Sequence, residues 1–193
     1  SRVGFTTVWN FVDVSFYPKS KWLQRIHPFA FTRAGRDRIQ NGNEEVINTG
    51  IRLNVTRQGF FNLSYSRGHE TWRATRYLIG RDVNVFGNMQ AFRWLFVSAN
   101  FSVGPAIFYG ETNHFQGRSQ SLSVGTTIQP SQHFSQGFDF FRTRFWRPPR
   151  DEQINAITIV NERTTYQFDK HFLVRVLARY DSSQRRLLTD FLA

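Results

Sequence analysis

The sequence predicts an all-β fold: an antiparallel up-and-down transmembrane β-barrel, of which this chain is an incomplete portion. Three observations predict it. Apolar side chains recur at every second position through much of the 193 residues, and this is the period of a strand with two unlike faces. Tight polar turns separate these runs, as in hairpins. No 3.6-residue apolar period persists over three helical turns.

The clearest alternation lies in residues 153–193, where two runs meet at a two-residue turn, Asp169-Lys170. After this turn, alternate residues are apolar: Phe172, Val174, Val176, Ala178 and Tyr180. The intervening set carries most of the charge: His171, Arg175, Arg179 and Asp181, with Leu173 and Leu177 among them. The first arm, 154–168, exceeds the usual strand of about five or six residues and could cross a membrane.

The composition limits the class of protein. Hydrophobic residues make up 40% and aromatic residues 17% of the chain, which excludes a disordered chain. The mean hydropathy is −0.45, and no 18-residue apolar segment predicts a transmembrane helix. Alternating membrane strands average to a polar sequence, so this value fits a barrel. Cysteine is absent, which excludes disulfides and thiolate chemistry.

The formal net charge of +11 comes almost entirely from arginine. A basic surplus favours nucleic acid, anionic lipid or an acidic ligand as a partner. The arginines are spread along the chain without one dominant block, so they equally suit a polar barrel interior in which they pair with acidic residues.

About ten strands are recognisable. They fall in residues 8–16, 22–33, 45–56, 61–66, 92–109, 122–129, 134–146, 154–168 and the stretch from 172 onward, and 68–88 holds a strand, a long loop or both. Pro28 is expected to interrupt its strand or mark a bulge, and Gly104-Pro105 to break or bend another. Residues 36–43 and 111–117 are expected to be polar loops.

The predicted connections alternate in length, and aromatic residues gather at strand ends. Short turns at 58–59, 130–132 and 169–170 interleave with longer connections near 68–90, 110–117 and 146–153, an arrangement typical of outer-membrane barrels. The candidate interfacial aromatic residues are Tyr17, Tyr109, Trp146, Tyr166 and Tyr180. A soluble β-sandwich or barrel with aromatic residues capping its core is the competing interpretation.

The C-terminal segment resembles a known bacterial family. Residues 163–168, 171–175, 180–183 and 188–192 resemble the C-terminal barrel of proteins with an N-terminal family-9-like carbohydrate-binding module, and residues 122–134 are similar to the preceding hairpin. The resemblance covers about 118–193 and is diffuse before that. It implies an outer-membrane location, a glycan connection, a sugar-binding module upstream of Ser1 and further strands after Ala193. Any sugar-binding residues would belong to that upstream module.

The residues give little sign of catalysis. The five histidines lack metal-ligand spacing, and no nucleophile or phosphate-binding motif occurs. Asp139, Glu162 and Asp190 could supply paired carboxylates for glycoside hydrolysis, although charge pairs are the simpler explanation. We therefore expect no enzyme activity, no cofactor, no metal and no catalytic residue in this chain.

Charged side chains near the C-terminus are the candidate lumen-facing residues: Arg163, Arg175, Arg179 and Asp181. In an open pore they would form an anion-favouring wall, and in a plugged barrel they would form ion pairs. In a soluble protein, the same arginines with exposed aromatic residues would form a strip for single-stranded nucleic acid.

We therefore expect residues 1–193 to form a single barrel domain, or a fragment of one, in the outer membrane of a Gram-negative bacterium. The expected role is a membrane anchor or channel, linked to glycan binding or transport at the cell surface. The expected partners are the lipid bilayer, a glycan, and other outer-membrane or periplasmic proteins, without nucleic acid. A soluble basic β-domain that binds single-stranded nucleic acid is the alternative.

Overall fold

A computed structural model gives the fold and describes residues 4–38, 42–72, 75–109 and 114–192. The described residues form eleven strands. They are β1 Phe5–Asp13, β2 Leu23–Asp37, β3 Gly42–Val55, β4 Gly59–Trp72, β5 Thr75–Phe92, β6 Leu95–Phe108, β7 Phe115–Ile128, β8 Phe134–Arg147, β9 Glu152–Gln167, β10 Leu173–Asp181 and β11 Arg186–Leu192. No helix among these residues is long and apolar enough to cross a membrane.

All eleven strands belong to one antiparallel sheet, and each pairs with the next along the chain in the order β1 to β11. The predictions of an all-β chain and of antiparallel up-and-down topology are confirmed. The architecture is consistent with a β-barrel, but the sheet is not closed: β1 and β11 lie at its two edges. Eight of the strands, β2 to β9, have 14 or more residues, for example β3 with 14 and β5 with 18, far above the usual five or six.

The sheet is a single layer without a conventional core. The described strands pack almost exclusively against their neighbours in the sheet. Only Val55, Tyr77 and Ile107 are buried among the described apolar residues. The accessible surface is 13465 Å², whereas a folded globular monomer of this mass exposes about 9,500 Å². The excess surface is what an uncovered sheet presents.

The strand register assigns every paired residue to one of two faces, because directly opposite residues in an antiparallel pair point the same way. Val97, Ala99 and Phe101 of β6 define what we call the apolar face. Ser98, Asn100 and Ser102 define the polar face. The pairing continues both faces across β7, where Val124 lies opposite Ala99 and Ser123 opposite Asn100.

Strand β4 shows that the exposures of the two faces are inverted relative to a water-soluble domain. Leu63, on the apolar face, is 50% exposed, whereas Ser64, on the polar face, is 8% exposed. From Phe61 to Gly68, the polar-face positions of β4 are less exposed than their apolar-face neighbours. Crowding of one face is what curvature produces, since side chains converge on the concave side of a bent sheet. The polar face is therefore the sheltered one.

Several sequence-based boundaries are wrong because polar and glycine-rich stretches form strands. Residues 68–88, expected to hold a strand, a long loop or both, belong to β4 and β5, apart from 73–74, which lie outside the described residues. A bulge shifts the register between Ser66 and Arg67, and the positive φ angles of Gly80 and Arg81 lie opposite it. The polar side chains did not prevent pairing, because the ladder depends on backbone hydrogen bonds.

The two expected polar loops are also shorter than predicted. Arg36 and Asp37 end β2, Gly42 and Asn43 begin β3, and Phe115 to Gly117 begin β7. The remaining parts at 39–41 and 110–113 lie outside the described residues. The predicted alternation of short and long connections is therefore wrong, because strands extend through the stretches that looked like long loops.

Neither proline breaks its strand. Pro28 lies within β2 opposite Ile51, and the register there is unbroken. Pro28 has no N–H to donate, and this costs little stability because Pro28 lies beside the end of β1. The backbone hydrogen bond between Val14 and Pro28 is donated by Val14 N to the Pro28 carbonyl oxygen, at 3.2 Å. β6 likewise continues through Pro105, which pairs with Arg118.

The first strand and the C-terminal hairpin also differ from prediction. β1 ends at Asp13, and beyond it Phe16 makes an isolated bridge to Ile26. The turn at Asp169-Lys170 occupies residues 168–172, because Asp169 Oδ1 accepts hydrogen bonds from the His171 and Phe172 amides at 2.7 and 2.9 Å. The last run turns again after Asp181, and this adds β11 to the ten strands that we expected.

Candidate functional surfaces on the two faces of the sheet

The apolar face carries a continuous band of exposed hydrophobic side chains near one end of the strands. In β3 the band runs from Leu53 to Ile47, which is about 20 Å along the strand at about 3.4 Å per residue. Leu63 and Val85 continue it across β4 and β5 through direct pairs with Ile51 and with each other. The band is somewhat shorter than the apolar belt, about 25 Å tall, of membrane barrels.

One end of the sheet, which we call the lower end, carries connections 14–22, 56–58, 93–94, 129–133 and 168–172. Aromatic side chains cluster there. Phe92 stacks on Trp94 with ring centroids 5.4 Å apart, and Tyr166 meets Phe168 edge-on at 4.7 Å. Tyr17, in the first of these connections, is 70% exposed. Two predicted interfacial residues, Tyr17 and Tyr166, therefore lie at this end.

The opposite, upper end holds the other three predicted interfacial residues. Tyr109 follows β6, while Trp146 and Tyr180 lie near the ends of β8 and β10 on the apolar face. The Tyr109 hydroxyl donates to both Glu70 carboxylate oxygens at 3.4 and 3.5 Å. Burial and the Glu70 charge raise the pKa of Tyr109. All five aromatic candidates thus lie near strand ends, three at one end and two at the other.

Small hydrogen-bonding side chains lie on the polar face of strands β4 to β8. Asn84 Nδ2 donates to Asn100 Oδ1 at 2.9 Å, and the hydroxyls of Ser121 and Thr143 are 3.0 Å apart. Ser66 donates to Asp82 across β4 and β5. Eight of the described glycines also lie on this face: Gly35, Gly42, Gly50, Gly68, Gly104, Gly117, Gly125 and Gly137. Small side chains let the neighbouring strands curve toward this face.

The four predicted lumen-facing residues share the polar face. Arg163 of β9 pairs with Leu177 of β10, which has the same orientation as Arg175, Arg179 and Asp181. Arg175 Nε is buried and has no hydrogen-bond partner among the described residues. Asp181 Oδ1 accepts from the amide and the hydroxyl of Ser183 at 2.9 and 2.6 Å. Asp181 therefore also caps the turn into β11.

A depression of about 380 Å³ opens on this charged part of the sheet, and its lining includes Arg163, Arg179, Asp139 and Asp190. Two arginines and two aspartates make it a mixed-charge surface. This differs from the purely anion-favouring wall suggested by the arginines alone. Charged groups of both signs on an open surface suit contact with water.

The three candidate carboxylate residues all line this depression, but their side chains are divided between the two faces of the sheet. Asp139 and Asp190 lie on the polar face, opposite Asn161 and Leu177. Glu162 pairs with Phe138 and Ala178 and therefore lies on the apolar face. There it accepts hydrogen bonds from Gln136, at 3.3 Å, and Thr164. The Glu162 side chain therefore lies on the face opposite to that of the two aspartates.

One histidine cluster resembles a catalytic arrangement but lacks its geometry. His27 Nδ1 lies 3.1 Å from Ser15 Oγ and 3.6 Å from Asp13 Oδ2. In a Ser-His-Asp triad the serine and the carboxylate contact different ring nitrogens, whereas here both contact Nδ1. The described residues also contain no group of three potential metal ligands.

Sequence reasoning missed a basic cluster on the apolar face near the upper end, formed by Arg118, Arg142 and Arg144. The pairing places Arg118 opposite Trp146, Arg142 opposite Leu122 and Arg144 opposite Gln120. The signal was available in the spacing, since Arg142, Arg144 and Trp146 recur at every second position. The cluster is not visible as a block of arginines in the sequence, because its members come from two neighbouring strands.

No protein-family model, curated protein or solved structure matches this chain.

Proposed function

We propose that this sheet is part of the wall of a membrane-embedded β-barrel in a bacterial outer membrane, where it serves as an anchor or a channel. The apolar face contacts lipid, and the polar face lines an aqueous interior. The observation that carries this proposal is the inverted exposure of the two faces: hydrophobic side chains of a single-layer sheet point outward, while small polar ones are sheltered.

The energetics favour lipid as the medium outside the apolar face. Burying a Val, Leu, Ile or Phe side chain fully contributes about 1.5–3 kcal/mol relative to leaving it in water. Ile47 and Leu63 are each about half exposed, at 52% and 50%, and similar side chains cover the band. Water inside the barrel would solvate the serine, asparagine and charged side chains of the polar face. The aromatic residues near both ends support the same placement, since tyrosine and tryptophan favour membrane interfaces.

The arrangement of the C-terminal strands β9 and β10 favours this proposal over binding of single-stranded nucleic acid by their arginines. That activity requires aromatic rings on which bases stack beside cations that hold the phosphates. Near the C-terminus, Tyr166 and Tyr180 lie on the apolar face, and Arg163 and Arg179 lie on the polar face. One strand of nucleic acid could not contact both sets. The proposed link to glycan binding or transport rests on the sequence resemblance alone.

Cysteine scanning tests the proposal directly, because the chain has no cysteine of its own. Single cysteines would replace Val97 to Ser102 in turn, and each variant would be reconstituted in phosphatidylcholine vesicles. A membrane-impermeant maleimide should label positions 98, 100 and 102 of a water-filled barrel and spare positions 97, 99 and 101. Unfolding in detergent should make all six reactive, which provides the control.

Uniform labelling of all six positions in folded, vesicle-bound protein would contradict the proposal. Failure of the wild-type protein to insert into the vesicles would contradict it as well. Single-channel recording then separates the two roles. A channel gives conductance in planar bilayers, whereas an anchor with a filled interior gives none and has polar-face cysteines that react slowly.

A further inference from the structure

The basic cluster of Arg118, Arg142 and Arg144 stands where the apolar band ends on β7 and β8. Arg118 and Arg142 are exposed and Arg144 is half-buried. Arg142 and Arg144 project from the same face of β8, about 7 Å apart along the strand. Arg118 is diagonal to Arg144 across the β7–β8 pair, again about 7–8 Å away. The three arginines therefore occupy one patch of the apolar face, with Arg144 between Arg118 and Arg142.

None of these three arginines forms an ion pair with an acidic residue of the described chain. The apolar-face positions beside them carry no carboxylate: Val103 and Pro105 lie on β6, Ala156 and Thr158 on β9. The positive charge of this patch is therefore uncompensated within the described sheet.

The same end of the apolar face contains a matched contrast on β3 to β5. There Arg76 meets Glu45 at 2.7 Å, and His69 meets the same carboxylate oxygen at 3.0 Å. At this end of the apolar face, Glu45 therefore neutralises Arg76, whereas no acidic residue of the described chain neutralises the basic cluster. An uncompensated cluster has capacity for an external anion.

The neighbouring groups indicate which anion fits. The Arg118 guanidinium lies 5.3 Å from the centre of the Trp146 ring, and tryptophan favours the headgroup level of a membrane. Below the cluster, Val124 and Phe140 lie opposite each other on the apolar face. A ligand that contacts both parts has an anionic head and apolar tails. Arginine also binds phosphate in a bidentate manner, unlike a simple point charge.

We propose that Arg118, Arg142 and Arg144 form a binding site for the phosphate group of a membrane lipid whose acyl chains lie against the apolar band. The proposal rests on the proposed membrane location. Trp146 holds Arg118 at headgroup level, and the three guanidinium groups share the phosphate oxygens. The site fixes the depth and rotation of this part of the sheet in the bilayer.

Lipid retention by the full chain tests this site. The protein would be reconstituted with equal amounts of dioleoyl phosphatidylcholine and dioleoyl phosphatidic acid, extracted in mild detergent, and its bound lipids counted by native mass spectrometry. Wild-type protein should prefer phosphatidic acid. Each single substitution, R118Q, R142Q or R144Q, should lower that preference about fivefold, and the triple variant by up to about a hundredfold.

The matched control is R76Q, which removes an exposed arginine from the same face and end but leaves the cluster intact. It should keep the wild-type preference. Inorganic phosphate in tenfold excess over lipid should not displace phosphatidic acid, because it lacks the apolar contacts; displacement would show a site for free phosphate and overturn the proposal.

A preference unchanged in the triple variant, or lost equally in R76Q, would also overturn it. Insertion into pure phosphatidylcholine vesicles separates this outcome from failure of the proposed function. Loss of the lipid preference by a triple variant that still inserts supports the site, and failure of the wild type to insert removes the membrane proposal itself.

Discussion

At the scale of single residues, Gly50 marks a position on the polar face that has no room for a side chain. A Cβ at this position would collide with the Leu63 carbonyl oxygen and lie 2.8 Å from the Phe29 ring. Backbone cannot move aside as a flexible side chain can. We therefore expect Gly50→Ala to destabilise the sheet by about 1–3 kcal/mol, measured as a lower urea midpoint of unfolding in lipid vesicles.

Gly137→Ala is the matched control, because Gly137 also lies in a strand on the polar face. The nearest atom to its added Cβ would be the Arg163 guanidinium nitrogen at 3.5 Å, an ordinary contact. This substitution should be neutral or stabilising by about 0.4–1 kcal/mol. Equal losses of stability in Gly50→Ala and Gly137→Ala would contradict a steric cause for the effect of Gly50→Ala.

Tyr109 provides a pH-dependent test. Its pKa is raised by burial first and by the Glu70 charge second. Because the folded-state pKa lies above the unfolded value, the contribution of this group to stability is fully present below the unfolded pKa, near 10, and is lost as pH rises through the folded pKa. Alkaline difference spectra at 295 nm between wild type and Tyr109→Phe should show this late titration.

Glu70→Gln should move the Tyr109 titration toward lower pH, since it removes both the charge and the ionised acceptor. A titration that stays in place in this variant would show that burial alone raises the pKa. Tyr109 follows the end of β6, so its titration reports on the upper end and not on the strands.

At the scale of the strand, β4 and β7 show how faces decide the effect of a charge. Leu63 lies between Ile51 and Val85 on the apolar face. On an ordinary water-exposed surface, Leu63→Arg would change stability by no more than about 0.5 kcal/mol. On a lipid-facing surface the same change should cost about 2–4 kcal/mol, measured by urea unfolding in phosphatidylcholine vesicles.

Ser123→Arg is the companion variant, since Ser123 lies on the polar face between Asn100 and Phe141. A water-filled interior should accept this arginine at much smaller cost. A small cost for Leu63→Arg, no greater than for Ser123→Arg, would argue against lipid at the apolar face.

Strand existence could be predicted better than strand length. The alternation in 45–55 and 95–103 predicted β3 and β6, because apolar and polar side chains separate cleanly between two faces there. The upper parts of β4 and β5 could not be predicted, since Gly68, Gly80 and the polar residues around them resemble a loop. They pair because a bulge at Arg67 and Arg81 restores the register, and a bulge leaves no clear trace in a single sequence.

At the scale of the whole molecule, the exposed surface is the dominant physical fact. The 13465 Å² of accessible surface exceeds the value of about 9,500 Å² for a globular monomer of this mass. Thirty large hydrophobic side chains among the described residues add to this surface, and the apolar face carries the largest share. Such a sheet requires a surrounding medium that stabilises its apolar face.

The number of strands also constrains how this sheet could close into a barrel. Eleven antiparallel strands leave β1 and β11 running in the same direction, so direct pairing of these two edges would be parallel. Bacterial single-chain barrels have an even number of antiparallel strands. An all-antiparallel barrel built on this sheet therefore contains an odd number of strands beyond these eleven.

By itself, the sequence determined the secondary structure class and the two-faced character of the strands. Alternation is local and follows from strand geometry, and so the shared orientation of Arg175, Arg179 and Asp181 was readable along one strand. Only the tertiary structure decided which residues from different strands meet. Register brought Arg118 beside Trp146 and Arg144, and separated Glu162 from Asp139 and Asp190, because backbone pairing between strands sets those relations and one strand carries no record of them.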